Sequence, residues 1–329
     1  MSKKIFVTGG AGYVGSILVP KLLTLGYNVT VYDLMIYGSN VLEEHPNLKK
    51  IKGDIRDLSL IKKSLNGHRY NIIIHLACIS NDPSFELNPS LGKSINLDAF
   101  RPLVETSINS GIEHFIYASS SSVYGVKNEK NVSEDMTLEP LTDYSIYKAE
   151  CESILSEFES NDFITTTLRP ATVCGFSPRQ RLDVVVNILT NLAFHKREIT
   201  IFGGKQLRPN INIQDMASAY INIIKSPIEK INKQIFNVGG ENHSVEELAN
   251  IVKDKIGLDV SLITTPTDDN RSYHISSQKI FETTEFKPTY SIEDAVESLK
   301  TAFEKNKLQD PLTNKLYFNI KTMQSIKIL

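Results

Sequence analysis

The stretch from Lys3 to Gly15, KKIFVTGGAGYVG, constrains this chain more than any other. A short β-rich run, Ile5-Phe6-Val7, enters a glycine cluster, and Tyr13 to Leu25 carry apolar side chains at helical spacing, which predicts strand, tight turn and helix. Gly9, Gly12 and Gly15 stand three apart, where such a turn needs positive φ, backbone open to a ligand and close helix-to-strand contact. The N–H groups and positive end of that helix would face an anion such as a pyrophosphate. A glycine triplet is also at home in an ordinary βα turn, so the rest of the chain must decide.

Asn28 to Asp33, NVTVYD, alternates like a strand and ends in an acid eighteen residues past Gly15. A carboxylate there accepts hydrogen bonds from ribose hydroxyls and repels a 2′-phosphate, which favours NAD over NADP. Strands are expected at Leu48–Gly53, Asn71–Ala77, His114–Ala118 and Phe163–Arg169, with helices near Leu58–Leu65, Leu91–Ser110 and Tyr144–Ser160. NIIIHLA is apolar without a break, as in a parallel strand buried on both faces. The alternation gives an α/β fold, a doubly wound parallel sheet with ligands at the carboxyl ends of its strands.

At that edge stand Ser119-Ser120-Ser121-Ser122-Val123-Tyr124-Gly125 and then Tyr144-Ser145-Ile146-Tyr147-Lys148. Tyr144 and Lys148 are four apart and share a helix face. A phenol beside an ammonium and a cationic nicotinamide should lose its proton below the usual value of about 10 and serve as a base. After Pro170 the pieces are shorter and mixed: helices at Leu182–Lys196, Asp215–Ile224, Ser244–Ile256 and Ile292–Lys305, with strands between them. This reads as a smaller mixed α/β lid. Residues 1–172 would form the cofactor domain, rejoined by about 212–238; 173–211 and 239–310 would bind substrate, and 311–329 would be a weakly structured tail.

A net charge of −2, the absence of Trp and the lack of basic blocks give no footing for nucleic acid. No segment has the roughly 18 apolar residues of a membrane span. Cys78, Cys151 and Cys174 and the seven scattered histidines have no metal-site spacing, so no metal is inferred. A cytoplasmic protein is expected.

TGGAGYVG, Asp33, GDIRD, HLA, SSSSVYG and YSIYK together resemble the extended short-chain dehydrogenase/reductase family, especially its nucleotide-sugar epimerases and dehydratases. The resemblance covers about residues 3 to 305 and implies a Rossmann domain holding NAD. Gly9, Gly12 and Gly15, with Tyr13 and Val14, would meet the pyrophosphate and Asp33 the ribose. Asp54 and Ile55 would lie beside the adenine, and Leu76 and Ala77 of HLA along the cofactor. It further implies that Lys148 holds the nicotinamide ribose and tunes Tyr144, that Ser120 bonds the reacting sugar oxygen, and that Tyr144 removes the hydroxyl proton. Arg208 and Arg271 resemble diphosphate-binding arginines. Ser121, Thr172 and, within SPRQRLDVVVN, Arg179, Arg181 and Asn187 are further substrate candidates. The helices at Leu91–Ser110 and Tyr144–Ser160 resemble those that pair in the family's homodimers.

The departures narrow the activity. Dehydratases of the family carry an Asp-Glu pair after the catalytic Ser/Thr; here Ser121 and Ser122 stand there and cannot replace it in acid/base work. Thr172 stands for the family's Asn and Asn212 for its His. ISNDPSFELNP, Ile79 to Pro89, resembles a branch that includes oxidoreductases acting at C4 of nucleotide-linked sugars or heptoses. The expectation is a C4 epimerase of a nucleotide-diphosphate sugar. The alternative is a C4 oxidase releasing the 4-keto sugar; a 4,6-dehydratase or a non-catalytic dinucleotide sensor fits less well.

Overall fold

A computed structural model describes residues 3–38, 40–80, 82–267 and 272–325. Seven parallel strands form the main sheet: β1 Lys4–Thr8, β2 Asn28–Asp33, β3 Leu48–Lys52, β4 Ile72–His75, β5 His114–Ala118, β6 Ile164–Pro170 and, later in the chain, Gln234–Val238. Between β6 and that last strand come β7 Thr172–Cys174, β8 Glu198–Phe202 and β9 Leu207–Asn212, which makes Gln234–Val238 β10. The order is β10-β6-β5-β4-β1-β2-β3, so the winding reverses between β1 and β4. That reversal opens a crevice at the carboxyl ends.

Both faces are covered because strand residues alternate between two cores. Ile5 and Val7 of β1 join an apolar cluster with Leu18, Leu22 and Ile223, while Phe6 packs in a second with Tyr32, Phe100 and Phe115. A third cluster, with Cys174, Val186, Leu248 and Val296, belongs to the smaller mixed part. There β9 pairs parallel with β7 and antiparallel with β11 Glu241–Ser244, and β8 pairs with β12 Ser261–Thr265.

Two segments depart from expectation. The helix expected over Leu91–Ser110 is broken into Pro89–Lys93, a π-helical turn at Ser94–Asp98 and Phe100–Asn109. Within the π turn Asn96 is buried, and its amide accepts from the Ile79 N–H (2.8 Å) and donates to the Ile79 carbonyl (2.9 Å), clamping the chain beyond β4. The tail, expected to be weakly structured, carries a 3₁₀ turn at Lys315–Tyr317 and a helix at Asn319–Ser325. Leu308 is buried with Leu182 and Phe303, and Tyr317 and Phe318 pack against them.

Candidate active site

The glycine turn is built for close approach. Gly9 has φ +72°, and a Cβ there would lie 2.5 Å from the Ala77 backbone nitrogen and 2.7 Å from its Cα. A Cβ on Gly12 would meet only the Gly9 carbonyl, at 3.1 Å, so the outer side of the turn is open. Leu76 donates its N–H to Thr8 (3.0 Å), which brings Leu76 and Ala77 alongside that turn. Asp33, at the end of β2, accepts from the N–H groups of Ala11 (3.0 Å) and Met35 (2.8 Å). Burial raises its pKa against the lowering effect of those two bonds. Asp54 is paired with Arg56 (2.6 Å) in its own turn, and its carbonyl accepts from Tyr32. Ile55 is buried beside it. A cradle that excludes Cβ, a helix start and an acid at the neighbouring strand end fit a dinucleotide.

The helix that carries Tyr144 and Lys148 reaches the end of β5, where Ser120 follows Ala118 by two residues. Helix Asp143–Ser156 starts in a capping box of Thr142 and Ser145. One turn in, the Lys148 ammonium donates to the Ala118 carbonyl (2.6 Å) and lies 5.0 Å from the Tyr117 ring and 5.8 Å from that of Tyr144. Two residues past Ala118, Ser120 caps the 3₁₀ turn Ser121–Tyr124, its hydroxyl 2.9 Å from that of Ser122. Ser121 is buried, 3.3 Å from the Tyr273 hydroxyl. His75, also at this edge, bonds Thr8 (2.7 Å); burial, then the charge of Lys148, pulls its pKa to about 3, so it is neutral.

Behind the site runs a buried polar chain that the sequence reading missed. Glu152, four residues past Lys148, accepts from the Ser119 hydroxyl and forms a two-pronged pair with Arg169 of β6 (Nε–Oε1 3.0 Å, Nη2–Oε2 2.6 Å). Arg169 also donates to the Tyr124 hydroxyl (2.7 Å), which donates to Asn237 of β10 (2.7 Å). The i, i+4 spacing from Lys148 was the available signal.

The remaining candidates divide by location. Asn187 is fully buried, its amide accepting from Gly175 N–H (2.9 Å) and donating to the Tyr13 hydroxyl (2.9 Å) and the Arg181 carbonyl (2.7 Å). Val14 precedes helix Gly15–Thr24. Ser177 bolts the following lid segment to the glycine turn, donating to the Tyr13 carbonyl (2.8 Å) and lying 2.6 Å from the Ser16 hydroxyl. Arg179 is buried there and Arg181 half-buried, Arg181 paired with Asp183 (2.9 Å). Thr172 and Arg208 sit apart from them, on β7 and β9 of the mixed sheet. Asn212 caps helix Ile213–Lys225 and bonds the Ser291 carbonyl. Arg271 lies outside the described residues. Among the described residues no three His, Cys, Asp or Glu side chains gather as metal ligands, and no helix is long and apolar enough to cross a membrane.

A doubly wound parallel sheet with a glycine turn at its switch point is the architecture of dinucleotide-binding proteins. Residues 5–239 match the NAD dependent epimerase/dehydratase family, and the chain belongs to it. It is 26% identical over 280 residues to a UDP-glucose 4-epimerase of Lactobacillus helveticus, covering 80% of this chain and 84% of that protein. A putative UDP-glucose 4-epimerase of Methanocaldococcus jannaschii is 28% identical over 308 residues, 92% of this chain and 99% of its own length. The crystal structure of UDP-glucose 4-epimerase from Thermotoga maritima with UDP-glucose superposes with a TM-score of 0.85 at 26% identity, covering 93% of this chain and all of that one.

Proposed function

We propose that the protein is an NAD-dependent C4 epimerase of a nucleotide-diphosphate sugar, with Ser120, Tyr144 and Lys148 as its catalytic residues. The observation that supports this is the bond from Lys148, on helix Asp143–Ser156, to the carbonyl of Ala118, two residues before Ser120, with Tyr144 on the same helix face as Lys148. NAD, held by Gly9, Gly12, Gly15, the Tyr13-Val14 backbone and Asp33, supplies when bound a reversible acceptor for the hydride of a carbinol carbon. Tyr144 takes the proton of the sugar hydroxyl as that carbon is oxidised and returns it when the ketone is reduced. Ser120 donates a hydrogen bond to the same oxygen, and the Lys148 ammonium favours the phenolate. Ser121 and Ser122, hydrogen-bonded to Tyr273 and Ser120, are neutral where dehydration needs an acid and a base.

Arg208 and Arg271 are assigned to the substrate diphosphate, and Thr172 and Ser121 to the sugar side of the pocket. The same reading divides the chain as expected: 1–172 with about 212–238 for the cofactor, 173–211 and 239–310 for the substrate. It takes the protein as a cytoplasmic homodimer. Three free cysteines suit a reducing compartment, and helices Phe100–Asn109 and Asp143–Ser156 lie side by side, with Arg101 bridging to Glu157 at 2.7 Å just past the second. Light scattering should give the mass of two chains; a monomer would refute the pairing.

The test of the activity is a panel of nucleotide sugars followed by absorbance of reduced nicotinamide and by NMR of the sugar. The expected result is inversion at C4 without net reduction. Accumulating reduced cofactor with a 4-keto product would make the protein an oxidase, and loss of the C6 hydroxyl a dehydratase.

A further inference from the structure

Two guanidinium groups at the ligand edge, that of Arg179 buried and that of Arg181 half-buried, each hold a buried nitrogen without a hydrogen-bond partner among the described residues. Arg179, 3% exposed, lies 3.5 Å from the centre of the Tyr37 ring and donates through Nη2 to Asn319 (2.5 Å). Its buried Nε has no hydrogen-bond partner among the described residues, and neither has Nη2 of Arg181. Arg181 pairs through Nε with Asp183 (2.9 Å) and reaches the Ser80 hydroxyl (3.4 Å). Asp183 also accepts from the Asn319 N–H (2.8 Å), and Asp33, the acid near Arg179, already accepts two backbone N–H groups. Burial pulls the Arg179 pKa down to about 10, the mark of a cation held away from water. Buried donors left unmade are rare and point to a missing acceptor.

Their position identifies the acceptor. Tyr37 follows β2 and Ser80 follows β4, while the Arg179 N–H donates to Ser16 in the first turn of helix Gly15–Thr24 (3.3 Å). The pair thus bridges the loops on either side of the glycine turn, at the point where the strand order reverses. We infer that Arg179 and Arg181 grip the pyrophosphate of the dinucleotide across from the glycine turn, and that Asn319 of the C-terminal segment straps them in place. A diphosphate supplies the several oxygens that two planar forks can bond.

Asn319 is a positioning residue. Its amide donates to the Ser80 hydroxyl (2.9 Å) and accepts from Arg179 and from the Tyr37 hydroxyl (3.1 Å), so one side chain joins the loops after β2 and β4 to the lid segment. A cofactor held from both sides stays through many turnovers. Epimerisation needs this and net oxidation does not, so the inference deepens the reading above and rests on its assignment of NAD.

Calorimetric titration of cofactor-free protein with NAD and with adenosine, which lacks the pyrophosphate, tests it. Arg179→Gln and Arg181→Gln are each expected to weaken NAD at least about tenfold, leaving adenosine binding and, at saturating NAD, the KM for nucleotide sugar unchanged. Asn319→Ala should weaken NAD severalfold and speed its dissociation. Should the glutamine variants fail to fold, Arg179→Lys, which keeps the charge and loses the fork, is still expected to weaken NAD severalfold. Unaltered NAD binding with a raised sugar KM would assign the arginines to the substrate and overturn the inference, as would an equal loss of adenosine binding. Wild-type protein that binds no NAD would instead overturn the cofactor assignment itself.

Discussion

Tyr144→Phe is expected to lower kcat by about three orders of magnitude, within the range that positioned proton transfer contributes, while NAD affinity stays within about twofold. The substitution removes one oxygen and keeps the ring, which packs against the apolar cluster of Phe85, Phe100 and Tyr117. Lys148 does not depend on it for position, since its ammonium is bonded to the Ala118 carbonyl. The cradle proposed for the cofactor lies on other elements, the glycine turn and the ends of β2 and β4. Binding and chemistry should therefore separate. Single-turnover kinetics and an NAD titration on the same preparation measure both, and a variant keeping more than about a tenth of wild-type turnover would remove Tyr144 from the role of base. A matching fall in NAD affinity would mean that the ring is part of the cofactor site.

Most of the parallel sheet was legible because its strands are buried on both faces. Ile72–His75 could only be written in apolar residues apart from its last, and NVTVYD and QIFNV carry the β-rich signal of the same setting. The two failures have a common cause. The π turn at Ser94–Asp98 keeps helical spacing on either side, so no period betrays it; what specifies it is the bond from Asn96 to Ile79, seventeen residues away. The C-terminal helix has seven residues, too few for a periodic signal, and is held by contacts with Asp183 and Ser80 far back in the chain.

The candidate site divides in the same way. The glycines and the Tyr144-Lys148 pair are local patterns whose spacing carries the chemistry, and Ser120 stands at a strand end that the sequence places. Asn187 is a substrate candidate by its segment, and its bonds to Tyr13 and Gly175 are ones that only the folded lid brings to it. Asn319 had no signal: a single Asn in a polar tail acquires meaning when Tyr37, Ser80, Arg179 and Asp183 surround it. Sequence spacing records neighbours along one element, and these contacts join four.

Glu152→Ala should destabilise the fold by about 3–5 kcal/mol, the usual cost of breaking a buried ion pair from one side. Both side chains are about 5% exposed or less, and the loss leaves the Arg169 guanidinium without a carboxylate in a site that water does not reach. The cost comes from the stranded charge more than from the pair itself. Removing both partners, with Glu152→Leu and Arg169→Met, is therefore expected to recover much of the loss, and urea unfolding of the two singles and the double measures the coupling. Additive single losses would show that the pair is not coupled. The pair also has a second consequence, because Glu152 accepts from Ser119, which precedes Ser120, and Arg169 donates to Tyr124, the last residue of the turn that Ser120 caps. The stable double variant should then still lose turnover, although it changes no group that touches the substrate. Full activity in that variant would mean that Ser120 is placed by its own cap and that the buried chain behind it serves stability alone.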